Sequence, residues 1–451
     1  MSMVQGVDTL GLINTSVTWA YPPTSLVEAQ ARARRQKVLE APDVVRATGT
    51  RWYLSENGSS DNEGSAPSCP WNSLETLEEN RHRIRAGDAV LFERGSIFRG
   101  CITAVSGVYY GAYGSGDKPC IYGSKKDYAG CPWEKAGENL WSLDDEFPAD
   151  VGNIIFDHGA VTGYKRLHRS DLHDPFDFWS DPQDGNRLYL YMDKDPAASF
   201  TSIEIAFNLW LFQLGNCTDI VVDNLTFKYG GGHGVRGSGC RDITVRNCEF
   251  GFLGGSYLTG FRNGTTRYGN AVEFMAGSKR VLVENCWVYQ IYDSGYTHQG
   301  LTNYCASDIT FRDSLLEYCG MGSIEYWLGP DSLCRNVTYS GNIMRYAGYG
   351  FGGIQRPDKE MSAHIQSNGA CCNQADNFRI ENNIFELSTY DLVNAQSKMN
   401  TLPVLKGNMY IQSAGSRLGS YGGCLSCMCD GNAETVIRTQ WGDTSAILIR
   451  V

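Results

Sequence analysis

Seven stretches of the chain repeat one another: IVVDNLTF from Ile220, ITVRNCEF from Ile243, VLVENCWV from Val281, ITFRDSLL from Ile309, VTYSGNIM from Val337, FRIENNIF from Phe378 and VLKGNMYI from Val404. Each sets apolar residues two apart, then a turn residue, then a second apolar pair. The turn residues are Asn224, Asn247, Asn285, Asp313, Gly341, Asn382 and Gly407. These residue types tolerate left-handed backbone angles. They follow one another at intervals of 23, 38, 28, 28, 41 and 25 residues. A short period interrupted now and then by a longer loop predicts the coils of a right-handed parallel β-helix. Each coil then has three short strands that pair with their counterparts above and below. A leucine-rich horseshoe would need a helix or a Leu-x-x-Leu-x-Leu frame in every repeat. A propeller would need about four strands per repeat of roughly 40 residues. Neither pattern is present.

The 451 residues are too many for one compact core but suit an elongated stack. Residues 51–430 are expected to form the solenoid, behind an N-terminal helical cap segment (1–50) and before a C-terminal strand or cap (431–451). The stretch 24–41 reads as a helix closing the stack's open end. Residues 51–77 read as a strand, a turn-rich loop and a helix start, and 87–124 as the first coils. Residues 140–205 read as a strand-rich insertion, with a turn at 177–185 and coiling resumed near Ile203.

Counting along the repeat assigns side chains to faces. Eleven residues past the turn residue, Val235, Tyr296 and Ile324 should point inward. Val272 joins them by pattern, after the insertion 254–269. Alternation turns the next residue outward. The outward column is expected to read Arg236, Glu273, Thr297, Glu325 and Gly353. Two positions on it should read Met275, Gln299, Trp327 and Gln355. Adjacent coils lie about 4.8 Å apart, so Glu273 and Glu325 should be roughly 10 Å apart at the backbone. Asp293 falls at the turn between them. His298 alternates inward and is read as a buried, hydrogen-bonded histidine. Cys248 and Cys286 follow the turn residue and should stack inside as small hydrophobes.

Three carboxylates beside Trp327, Tyr326, Gln299, Thr297, Gln355, Arg356 and His233 point to glycoside cleavage. One carboxyl must give a proton to the leaving oxygen, and another must attack the sugar or activate water. Like charges and apolar neighbours raise a carboxyl's pKa, so Glu325, followed by Tyr-Trp, is assigned the acid. Asp293 is assigned the base or nucleophile. Glu273 is a third catalytic candidate or a sugar-hydroxyl ligand. Trp327 offers a face for a sugar ring, and Gln355 and Arg356 offer donors. Arg356 could equally pair with Asp358.

Net charge and composition narrow the partners. With a net charge of −11 and one basic cluster, at 28–37, no nucleic-acid surface is expected. A polyanionic substrate is disfavoured unless a local basic pocket overrides the global charge. No apolar run reaches the length of a membrane span. No leader is visible at the start of the sequence, and the 16 cysteines suit a reducing cytoplasm. Cys424 and Cys427 have zinc-ligand spacing, but no second pair matches it, with CC at 371–372 the nearest candidate. No metal or cofactor is therefore expected.

The stretches WYLSENGSSDNEGSAPSCPWNSLETL, GDAVLFERGSIFRG, RYGNAVEF, IYDSGYTHQG, SIEYW and QRPD carry a likeness. Over about residues 50–410 the chain resembles bacterial right-handed β-helix glycoside hydrolases, such as the β-helix β-xylosidases and the fucosidase/xylanase group. The resemblance implies an oligosaccharide substrate and an acidic pair, matched here by Asp293 and Glu325 with Glu273 as third candidate. No separate β-sandwich domain is evident. The rival readings are a polysaccharide lyase, which usually needs a Lys or Arg base and often calcium, and a non-catalytic glycan-binding β-helix.

Overall fold

The computed structural model describes residues 25–260, 265–300, 305–329, 331–356, 361–368, 374–395, 402–426 and 431–451. The chain winds as a right-handed parallel β-helix whose walls are three ten-stranded sheets. One coil shows the pattern. Lys279–Glu284 lies in the first wall, Trp287–Ile291 in the second and Ser294–Gly300 in the third. The next coil repeats it with Cys305–Arg312, Leu315–Cys319 and Gly322–Leu328.

Why the chain coils is visible at the turn between the first two walls. All seven turn residues have positive φ: Asn224 59°, Asn247 54°, Asn285 48°, Asp313 54°, Gly341 64°, Asn382 57° and Gly407 68°. The bend needs the left-handed region, which Asn, Asp and Gly enter at least cost. The side chains then stack from coil to coil. Asn285 Nδ2 donates to Asn247 Oδ1 at 2.7 Å, and Asn247 Nδ2 to Asp223 Oδ1 at 2.7 Å. Replacing Asn285 by Val is expected to cost about 1–2 kcal/mol, read as a lowered urea midpoint.

The residue after each turn points inward. Cys248 and Cys286 are buried there, as expected. Further along, the same position becomes a polar ladder. The Asn342 amide donates to Asn383 Oδ1 at 3.0 Å and the Asn383 amide to Asn408 Oδ1 at 3.0 Å. Asp443 ends the ladder, accepting from the backbone of Gly407 (2.7 Å) and Asn408 (3.1 Å) and from the Tyr410 hydroxyl (3.1 Å). The helix Ala433–Thr439 and Trp441 cover this end, with Trp441 packed on Tyr410 and Tyr421.

His298 faces the core, its Nε2 bonded to the Tyr339 hydroxyl. Burial pushes its pKa down to about 3, and that of His364 likewise. In the unfolded chain both would titrate near 6.5. Between pH 3 and 6.5 the unfolded chain therefore binds more protons than the folded one. Stability should fall as pH drops through that window. Neither ring should titrate between pH 5 and 8 when followed by NMR.

Two expectations about the flanks change. The helix forms, as Glu28–Leu39, but it lies across the outer face of the second wall rather than over an end. Val27, Ala31 and Val38 share one helical face. They cover Trp287, Leu315, Tyr318 and Ile343, apolar side chains that the second wall turns outward. The Glu317 carboxylate, buried on that wall, takes Arg35 at 3.2 Å and the Trp287 indole at 2.9 Å. The insertion's strands begin earlier than expected, at Trp133–Gly137, and run to Ile203–Phe207. Asp177–Asp181, read as a turn, is a strand in its antiparallel sheet. The solenoid resumes at Phe212–Gly215, not near Ile203, because Ile203–Phe207 pairs with Val151–Phe156 inside the insertion.

Three long excursions leave the solenoid at one corner, between the second and third walls. They follow Cys120–Tyr122, Glu249–Leu253 and Ile343–Ala347, and return at Phe212, Val272 and Ala363. Among the described residues no helix is long and apolar enough to cross a membrane.

Candidate functional site

The third wall carries the expected register. Val235, Val272, Tyr296 and Ile324 are aligned and buried inside. Beside them Arg236, Glu273, Thr297 and Glu325 form the outward column, and Met275, Gln299 and Trp327 the next. The column then continues to Gln366, not Gly353, and the second to Asn368, not Gln355. The cause is the excursion 348–362, whose short helix Phe351–Gln355 delays the strand until Ala363. Gln355 is instead a clamp. It accepts from the Lys165 amide at 3.3 Å and from Arg267 at 3.0 Å, and donates to the Gly163 carbonyl at 2.6 Å. Tyr326 also leaves the site: it aligns with His298, faces the core and packs edge-on against Phe378.

The acidic column runs along the outer face of the third wall. Glu273 is only 4% and Glu325 only 2% exposed, and Asn270 and His233, from corner segments, lie against Glu273. Asp293, just before its strand, stands at the rim with 17% of its side chain exposed, bonded to Arg356 Nη1 at 2.7 Å. Asp358, the other partner expected for Arg356, lies outside the described residues, as do Cys427, Cys371 and Cys372. Trp327 and Gln299 are half-buried on the wall's next column.

Residues that the repeat does not announce hold the carboxylates in place. Asn270 Nδ2 donates to Glu273 Oε2 at 2.8 Å, and Asn270 Oδ1 accepts the Ser294 amide at 2.9 Å. The Ser294 hydroxyl then donates to Glu325 Oε2 at 3.1 Å. Ser294 follows Asp293 in the chain, so the Glu325 carboxyl leans back toward the edge where Asp293 stands. Gln299 Nε2 also reaches Glu325 Oε2 at 3.4 Å and Thr297 Oγ1 at 3.1 Å. The available sequence signal was positional: Asn270 and Ser294 are each a small polar residue two places before an inward apolar one.

His233 joins from its corner loop. Its Nδ1 accepts the Asn270 amide at 3.1 Å, which leaves Nε2 as the protonated nitrogen. Nε2 faces Glu273 Oε1 at 3.4 Å. Burial lowers the His233 pKa, against the pull of Glu273, so a neutral imidazole is the form present at neutral pH. Arg236 Nε donates to Glu273 Oε1 at 3.0 Å, and its guanidinium lies over the Trp210 ring at 4.1 Å. Trp210 Nε1 donates to the Tyr268 hydroxyl at 2.9 Å, which donates to Asn208 at 2.6 Å.

The loop bearing Tyr268 and Asn270 crosses itself at Gly254 and Gly269. A Cβ on Gly269, whose φ is +136°, would sit 2.2 Å from the Gly254 Cα. Gly269→Ala should therefore displace Asn270, with about 1–3 kcal/mol lost, read as a drop in Tm. A crystal structure of the variant would show whether Asn270 leaves Glu273.

Among the described residues, three potential metal ligands, His173, Asp174 and Asp177, gather on the insertion. Asp177 there is already bonded to Arg166 at 2.7 Å and to the amides of His173 and Asp174.

Comparison with known proteins agrees with the ladders. A family model described as a right handed beta helix region matches residues 190–355. No curated protein matches the sequence. Among solved structures, a lacto-N-biosidase from Eubacterium ramulus is similar at 15% identity and a TM-score of 0.44, covering 81% of this chain. This chain spans 64% of that protein's length. A protein titled glycoside hydrolase is similar at 11% identity and a TM-score of 0.48, covering 81% of this chain and 94% of its own. A rhamnogalacturonan lyase is similar at 10% identity and a TM-score of 0.46, covering 81% and 74%. From its three parallel ladders and the match over 190–355, the chain is a right-handed parallel β-helix.

Proposed function

We propose that the protein hydrolyses a glycosidic bond of an oligosaccharide in a cleft on the third wall. The observation that carries this reading is the convergence of Asp293, Glu273 and Glu325 on one edge, from three separate coils. Glu325 is the acid. Its Oε2 receives the Ser294 hydroxyl and the Gln299 amide, which fix the carboxyl where a proton donor to the leaving oxygen is needed. Asp293 is the base or nucleophile, standing at the rim with Arg356 Nη1 at 2.7 Å fixing its carboxylate. Glu273, held by Arg236, Asn270 and His233, binds and orients sugar hydroxyls rather than moving a proton. Trp327 supplies the stacking face.

Elimination is less well served. Arg236, the basic residue of the column, offers donors only and is engaged with Glu273. Lys165 is buried against Asp150 under the Tyr257 ring. Product chemistry tests the reading. Wild-type protein incubated with a panel of aryl glycosides and oligosaccharides should release reducing sugar without any ultraviolet-absorbing unsaturated product. An unsaturated product would make the protein a lyase. Binding without turnover across the panel would make it a lectin-like solenoid.

A further inference from the structure

We infer that the open end of this cleft is a subsite for a sugar bearing a carboxylate, such as a single uronic acid within an otherwise neutral oligosaccharide. The inference rests on the cleft being a glycan site, and names what is bound beside Glu273.

Along the outward column, Glu273 is followed on the N-terminal side by Arg236 and then by Gln213. The floor residues are closed, but this end is not. Arg236 has 24% of its side chain exposed, and Gln213, Trp210 and Met275 are half-buried around it. The guanidinium is held in one orientation on three sides. Nε donates to Glu273 at 3.0 Å, Nη2 touches Met275 Sδ at 3.2 Å, and the plane lies over Trp210 at 4.1 Å. Among the described residues, nothing is bonded to Nη1. The end of the fork, Nη1 with the second hydrogen of Nη2, therefore faces the opening. That edge has the donor spacing that grips a carboxylate with two parallel hydrogen bonds. Because Trp210 and Met275 fix the group beforehand, little side-chain entropy remains to be lost on binding.

The net charge of −11 fits one acidic sugar better than a polyanion. Charges more than about 8–10 Å away are screened at physiological salt, so the fork governs its own neighbourhood.

The test is a titration of the full chain with methyl glucuronides and methyl galacturonides, against the matching methyl glucosides and galactosides, followed by calorimetry and tryptophan fluorescence. The uronides should bind about ten- to a hundredfold more tightly than the neutral sugars, as a charge-assisted fork contact gives. That preference should shrink at about 0.5 M salt. Arg236→Gln should abolish it, and Arg236→Lys, which keeps the charge without the fork, should recover only a small part. Circular dichroism and Tm establish that each variant is folded. Equal affinity for neutral and acidic sugars, or no binding of the uronides to wild type, overturns the inference. The two readings separate cleanly. Hydrolysis of neutral glycosides with no acidic preference removes the subsite and keeps the hydrolase. Uronide preference with turnover unaffected by Glu325→Gln does the reverse.

Discussion

Exchanging Glu325 for Gln is expected to lower turnover about 10²–10⁴-fold, the range that a positioned proton donor supplies, with KM changed by no more than about threefold. The substitution is nearly isosteric. The Ser294 hydroxyl, which now donates to Glu325 Oε2 at 3.1 Å, can keep a carbonyl oxygen as its partner, so the floor should stay folded. Leaving-group chemistry gives a sharper readout than the rate alone. An acid catalyst matters least when the departing alcohol is itself acidic. Glu325→Gln should thus retain most activity on nitrophenyl glycosides and little on oligosaccharides. Asp293→Asn should lose both, because the base or nucleophile is needed whatever departs. If the two variants behave alike on both substrate types, the acid and base assignments are wrong. If neither loses turnover, the cleft is not where the chemistry occurs.

The second large effect is one of stability, far from the cleft. Asp443→Ala is expected to cost about 3–5 kcal/mol, since it leaves several buried donors unsatisfied at about 1–3 kcal/mol each. Asp443 is fully buried and receives Gly407 N at 2.7 Å, Asn408 N at 3.1 Å, Asn408 Nδ2 at 3.0 Å and Tyr410 Oη at 3.1 Å. Alanine would leave the Gly407 and Asn408 amides and the Tyr410 hydroxyl without an acceptor in the closed interior, while Asn408 Nδ2 keeps the Ile380 carbonyl. Asn383 and Asn342 stand behind them in the same ladder, so the loss should spread through the C-terminal coils first. Solenoid stability is approximately a sum over neighbouring coils. Limited proteolysis should accordingly cut near 380–410 before the site coils, and the main thermal transition should broaden. A variant with an unchanged midpoint and unchanged proteolysis would show that Asp443 is ornamental to the ladder.

How much of this was legible in the sequence depended on whether a residue belongs to the repeat. The seven turn residues were readable because the left-handed bend restricts which side chains can sit there, and all seven have positive φ. The column was readable because strand alternation and an eleven-residue offset place Arg236, Thr297 and Glu325, and the strand pattern after the insertion places Glu273. The same count failed at Gly353 and Gln355. Residues 348–362 form a loop with its own helical turn, and nothing in a glycine-rich stretch announces how many residues it will use. Tyr326 was misassigned by adjacency to Glu325, although alternation itself turns it inward. Asn270, Ser294, Trp210 and Tyr268 were missed because they sit at corners, where side-chain direction is set by tertiary packing rather than by period. The N-terminal helix was legible as a helix. Its seat was not, since that depends on the outward aromatics of the second wall, distant in sequence.

The emergence of three long excursions at a single corner separates the shape of the rim from the spacing of the wall beneath it. The ladders set the pitch and spacing of the carboxylates on the third wall, and no rung registers how many residues a corner segment contains. Segments such as 254–271 are therefore natural grafting points. Exchanging one for a segment of different length and chemistry, with Tyr268 and Asn270 kept, should redraw the rim beside the third wall while the carboxylates stay where the coils and Asn270 hold them.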